Sequence, residues 1–118
     1  MKTELVERRK FRNAYRIRKH NRDGRPVLSV FRSNKHIYAQ VVDSDGRVLV
    51  CTSSKTASLA EKTTGKSGIE IAELVGEELA RNSSKISLTR VVFNKGPYLY
   101  AGRVRSLAEA ARRNGLDF

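Results

Sequence analysis

Residues 27–42 constrain the fold more than any other stretch, because their side chains alternate with a period that only a strand can use. Val27, Ser29 and Phe31 fall on one face of an extended segment, and Leu28, Val30 and Arg32 on the other. The polar run Ser33-Asn34-Lys35 is a turn. Beyond it Ile37, Ala39 and Val41 form a clean apolar set while His36, Tyr38 and Gln40 point the opposite way. The pattern predicts an antiparallel hairpin with one face in a core. Its other face carries an aromatic ring, an imidazole and an amide, with Arg32 and Lys35 expected at its rim. Such a face suits unpaired nucleotides, since bases stack on aromatic planes and phosphates seek cations. The plainer reading of the same alternation is the solvated outer side of any half-buried sheet.

The rest of the chain extends this hairpin. Asp23-Gly24-Arg25-Pro26 is turn chemistry, and Pro26 opens the first strand. Asp43-Ser44-Asp45-Gly46 makes a second tight turn, and residues 48–52 read as a third strand that completes a meander. Cys51, in that apolar strand, is expected to be a buried, inert thiol. Residues 53–66 form a polar loop with a helical turn expected at 57–62, and Ser53, Ser54 and Lys55 at the strand end are candidates for phosphate contacts.

Ser67 and Glu70 have the spacing of a capping box, which predicts a helix to about residue 82. Ile71, Ala72, Leu74, Val75 and Leu79 give that helix its apolar side, and Glu70, Glu73, Glu77 and Glu78 its solvated one. Gly76, costly on a helix, is accounted for by a close approach to the sheet. Residues 88–93 predict a fourth strand, reached through a helix and therefore parallel to its neighbour. A last helix follows over 103–114, with Val104, Leu107, Ala108 and Ala111 facing the core and Gly115 as its stop. Its start, beside Arg103 and Arg105, offers backbone N–H groups to an anion, with Lys95, Tyr98 and Tyr100 just before it. The expected fold is thus α/β: a small mixed four-stranded sheet, a three-strand antiparallel meander plus one parallel strand.

Charge decides what class of partner such a domain meets. The 118 residues carry a formal net charge of +12, which makes an anionic polymer the default partner. Residues 1–25 hold ten Lys or Arg against three acids, over half of the excess. With few apolar residues this segment reads as a disordered basic arm, leaving residues 26–118 as a single α/β domain. The arm's Arg8, Arg9, Lys10, Arg12, Arg16, Arg18, Lys19, Arg22 and Arg25 would release counterions on meeting phosphates, and His20 is interleaved among them. No stretch approaches the roughly 18 to 20 apolar residues of a spanning helix. No apolar run near Met1 resembles a signal peptide. One cysteine and two scattered histidines provide neither a disulfide nor a metal cluster. A ribonuclease-H-like nuclease shares this order of elements, but it needs carboxylates gathered around metal ions, and no strand interior here carries an acid.

The stretch from Leu28 to Gln40, Val91-Val92-Phe93, residues 98–104 and Leu107-Ala108-Glu109-Ala110-Ala111-Arg112 together resemble the bacterial form of large-subunit ribosomal protein eighteen, in the same order and over nearly the whole chain. The resemblance implies two helices on one side of the sheet and a flexible basic arm. It also implies a cytoplasmic, non-catalytic protein of the large ribosomal subunit, free of cofactors and metals and monomeric when free. The implied partners are 5S ribosomal RNA, large-subunit ribosomal RNA and neighbouring proteins of the 5S particle in the central protuberance. The chain departs from the family pattern in having Asn94-Lys95 where an Asp-Arg pair is usual, and Ala101 where a histidine precedes Gly102-Arg103-Val104. The RNA-contacting set implied is the arm, the turn and face of the hairpin (Arg32, Ser33, Asn34, Lys35, His36, Tyr38, Gln40), residues 53–55, and Lys95, Tyr98, Tyr100, Arg103 and Arg105.

Overall fold

The computed structural model describes residues 24–55 and 65–118. All but the last two residues of the expected arm, and the helical turn expected within 57–62, lie outside this range. Three six-residue strands come first: β1 (Val27–Arg32), β2 (Ile37–Val42) and β3 (Val48–Ser53). Helix α1 (Gly68–Lys85), the short β4 (Val92–Asn94) and helix α2 (Gly102–Arg113) follow. The sheet order is β3-β2-β1-β4, with β1–β2 and β2–β3 antiparallel and β1–β4 parallel, as the crossover through α1 requires. This is the mixed α/β sheet that the sequence predicts.

Alternation selects which face is covered. Leu28, Val30, Ile37, Ala39, Val41, Val50 and Thr52 turn toward the helices and are buried with Ala72, Val75, Leu79, Val104, Leu107 and Ala111. Both helices pack on this side, and among the described residues no helix covers the opposite face. Period two places Cys51 between Val50 and Thr52 and so on the open face, where it is exposed rather than buried as expected.

The serine half of the capping box forms, with Glu70 N–H donating to Ser67 Oγ at 3.2 Å. α1 runs three residues further than expected and ends in a Schellman motif: Leu88 N–H reaches Ser83 O at 2.9 Å and Ser87 N–H reaches Ser84 O at 3.0 Å. Ser87 supplies the left-handed residue at φ 59°. Gly76 does mark a close approach, but to α2 rather than to the sheet. A Cβ built there would lie 2.4 Å from the Leu107 carbonyl oxygen.

The fourth strand is shorter than expected because Thr89 to Val91 pair elsewhere. Val91 N–H donates to Asp117 O at 3.0 Å and Asp117 N–H to Thr89 O at 2.7 Å, stitching the C-terminal residues beside β4. Phe118 then stacks on Phe93 with centroids 5.5 Å apart. At its other end β4 stops at Asn94, whose side-chain oxygen accepts Gly96 N–H at 2.9 Å and turns the chain away. Asn94 is the register partner of Ser29, so Phe31 and Arg32 extend beyond the end of their parallel neighbour.

Candidate nucleic-acid interface

The β1–β2 turn is where the predicted residues converge. Ser33 N–H donates to His36 O at 2.8 Å, and His36 N–H donates to Ser33 Oγ at 3.2 Å, closing a tight connection that leaves Arg32 to Lys35 exposed. Two residues from the far end of the sequence fix it in place. Arg32 N–H donates to the Tyr98 hydroxyl at 3.1 Å while the Arg32 guanidinium lies 4.9 Å from the Tyr98 ring centroid. Arg103, in the first turn of α2, donates from Nη1 to Ser33 O at 3.0 Å. These contacts hold the turn as a ledge carrying Arg32, Asn34 and Lys35. A cleft of about 630 Å³ opens beside it, lined by Arg32, Ile69, Pro97, Tyr98, Leu99, Ala101, Gly102 and Arg103. Ala101, at the N-cap of α2, makes no side-chain capping bond.

The open sheet face adjoins this ledge. Its row nearest the turn is Ser53, Tyr38 and Phe31, consecutive register partners across β3, β2 and β1. The next row is Cys51, Gln40, Ser29 and Asn94. Lys55 Nζ lies 5.9 Å from the Tyr38 ring centroid, and the His36 ring 6.4 Å from it. His36, Tyr38 and Gln40 therefore share this face as the alternation predicts. Arg32 does not, because it pairs in register with Ile37 on the covered side and reaches Tyr98 around the sheet end. Phe31, which sequence reasoning left aside, takes the place beside Tyr38. The odd-numbered parity of β1 was the signal that locates it.

Several predicted residues serve the protein itself. Ser54 is 5 % exposed, and its Oγ accepts Ile37 N–H at 3.2 Å and shares a 2.9 Å hydrogen bond with His36 Nδ1. It orients the imidazole from behind. Ser53 ends β3, and its Oγ accepts Lys55 N–H at 3.2 Å. Arg105 is turned along α2 to Glu109 at 2.9 Å, and this hydrogen bond, followed by the charge of the same carboxylate, raises its pKa. It stands apart from the Arg103 contact to the turn. Tyr98 packs against the core, whereas Tyr100 is exposed, 6.0 Å from Phe93 ring to ring, and receives Arg112 Nη1 at 3.3 Å. Lys95 and Arg25 are half-buried at the loop after β4 and the entry to β1. Arg8, Arg9, Lys10, Arg12, Arg16, Arg18, Lys19, His20 and Arg22 lie outside the described residues.

The described carboxylates are placed away from any common centre. Asp43 Oδ1 accepts the N–H groups of Asp45 and Arg47, both at 2.9 Å, as the β2–β3 turn demands. Glu70 pairs with Lys66 just before α1, and Glu78 with Arg81 along it. Among the described residues no group of three potential ligands could hold a metal ion, and no helix is long and apolar enough to cross a membrane.

The family model for ribosomal L18 of archaea, bacteria, mitochondria and chloroplasts matches residues 1–118. A large ribosomal subunit protein uL18 of Rhodospirillum centenum is 47% identical over 116 residues, 98% of this chain and 96% of that protein. Its Thermus thermophilus counterpart is 48% identical over 112 residues, 95% of this chain and 94% of that protein. A rice protein named large ribosomal subunit protein uL18c is 47% identical over 97 residues, 80% of this chain and 57% of its own length. The chain belongs to this family of ribosomal proteins, structural components and not enzymes.

Proposed function

We propose that this member of the ribosomal L18 family binds 5S ribosomal RNA and helps attach it to the large-subunit ribosomal RNA in the central protuberance, beside the other proteins of the 5S particle. The observation that carries the reading is the joining of two surfaces at one end of the sheet. A cationic ledge held rigid by Tyr98 and Arg103 continues into an uncovered face bearing Tyr38, Gln40 and His36. Phosphate contacts from the ledge, Lys55 and Lys95 position the RNA, and the basic arm of residues 1–25 adds affinity that falls with salt. The domain of residues 26–118 supplies selectivity through fit and through unpaired bases, because the deep major groove of an A-form helix is closed to side chains. The free protein is a monomer in this account.

The test is recovery of bound RNA after the full chain is mixed with deproteinised total ribosomal RNA, fragmented large-subunit RNA included. Enrichment of 5S RNA over its share of the input is expected. Recovery of every RNA in proportion to its mass would overturn the reading.

A further inference from the structure

Phe31 is the exposed apolar side chain whose surroundings ask most for an explanation. It is 47 % exposed, and it belongs neither to the buried core nor to the partly buried side chains packed on it. β4 ends at the level of Ser29, so among the described residues no strand flanks Phe31 on its outer side. A single exposed apolar residue is ordinary on a protein surface. Phe31 is not single: its register partner is Tyr38, which places the two side chains side by side on the open face about 5 Å apart at Cβ. Lys55 stands over the Tyr38 ring, and Gln40 and Ser29 occupy the next row, one pleat further along the same strands.

We infer that Phe31 and Tyr38 form a stacking platform for unpaired RNA bases, with Phe31 a specificity-determining residue that nothing in the family match assigns. This rests on the RNA-binding reading above and names which part of the RNA this face receives. A Phe ring offers no hydrogen bond and no charge, so phosphates and riboses gain little from it. A base gains a π-face, and from there its edge is within a strand pleat of the Gln40 amide, a donor and an acceptor together. Lys55 neutralises the phosphate that follows a base drawn onto Tyr38. An RNA loop or bulge with exposed bases matches each of these groups, and a continuous duplex matches none of the aromatic ones.

The experiment uses the full chain, labelled 5S RNA and a mixed-sequence single-stranded RNA oligonucleotide as second probe. Phe31→Ala is expected to weaken binding to 5S RNA by about 5- to 150-fold, the range that loss of one base stack produces, with the slope of log affinity against log salt unchanged. Phe31→Tyr should retain affinity within about threefold, while Phe31→Leu, which keeps apolar bulk without a ring, should lose as much as the alanine variant. Phe31→Leu also covers the case in which Phe31→Ala folds poorly, and thermal melting of each variant identifies that case. Unchanged binding of Phe31→Leu to both probes would overturn the platform, as would a reduced salt slope. If the wild-type chain shows no preference for 5S RNA yet Phe31→Leu loses affinity for the oligonucleotide, the 5S reading fails and the platform stands.

Discussion

Replacing Gly76 with alanine tests how the two helices are joined, because the outcome pits a favourable local change against an unfavourable packing one. In an exposed helix the substitution would stabilise by about 1 kcal/mol, since glycine wastes backbone entropy there. Here the new Cβ would sit 2.4 Å from Leu107 O, 2.9 Å from Ala110 Cβ and 3.2 Å from Ala111 N, against an ordinary contact of 3.4 Å or more. All three atoms belong to the α2 backbone or its first side-chain carbon, so none can rotate aside. α1 and α2 must separate by about 1 Å at this point, and a gap of that size forfeits about a quarter to a half of each dispersion contact across it. Val75 and Leu79 on α1 and Leu107 and Ala111 on α2 are all fully buried, so they bear that loss. Overpacking of this kind costs about 3 kcal/mol at the upper end of its usual range, leaving about 2 kcal/mol of net destabilisation after the helical gain. For a domain of this size that lowers the melting temperature by roughly 10 °C. Circular dichroism melts of wild type and Gly76→Ala read it directly, with exposed Ser84→Ala on the same helix as a control expected to hold or gain stability. A Gly76→Ala protein melting at or above wild type would refute the close approach.

Two further substitutions should stabilise. Thr52 Oγ1 is buried with no hydrogen-bond partner among the described residues, so Thr52→Val keeps the shape while removing a desolvated hydroxyl; a gain of about 1 kcal/mol in urea unfolding is expected, and a loss would mean the hydroxyl is bonded. Ser87→Gly relieves the left-handed residue of the α1 Schellman motif and should add about 0.5 to 1 kcal/mol by the same assay, whereas a loss would show that the serine side chain contributes to the cap.

The parts of this fold that depend on nearest neighbours in sequence are legible in the sequence itself. Alternation in residues 27–42 grouped Leu28 with Val30, and Ile37 with Ala39 and Val41, two sets that share the covered face, and the run from Ser67 through Leu79 announced α1 and its inner side. What was not legible depends on which distant element arrives. Nothing local says that Asp117 rather than β1 would pair with Thr89 and Val91, and so shorten β4. A glycine on a helix announces a close neighbour without saying whether it is sheet or helix, and at Gly76 it was α2. Cys51 was misplaced because apolar character was weighed above parity, although Val50 and Thr52 on either side already take the inward positions.

The candidate site divides in the same way. His36, Tyr38 and Gln40 share the open face because two residues per pleat put them there. Arg32 is expected at the rim of that face while its parity puts it with Leu28 and Val30, and only the arrival of Tyr98 from 66 residues away shows where its charge is held. Arg103 and Arg105 look equivalent in sequence. Two steps along α2 rotate the chain by about 200° and leave them about 160° apart around the axis, so one reaches Ser33 while the other pairs with Glu109.

The measurement that bears most directly on the central claim is competition for the full chain between labelled 5S RNA and an excess of transfer RNA at two salt concentrations. A folded face that reads one RNA predicts that 5S binding survives the competitor and that the ratio of the two affinities holds at the higher salt, while both absolute affinities fall as phosphate contacts are screened. Equal displacement by transfer RNA at both salts would mean that only charge is being read, and would contradict the account.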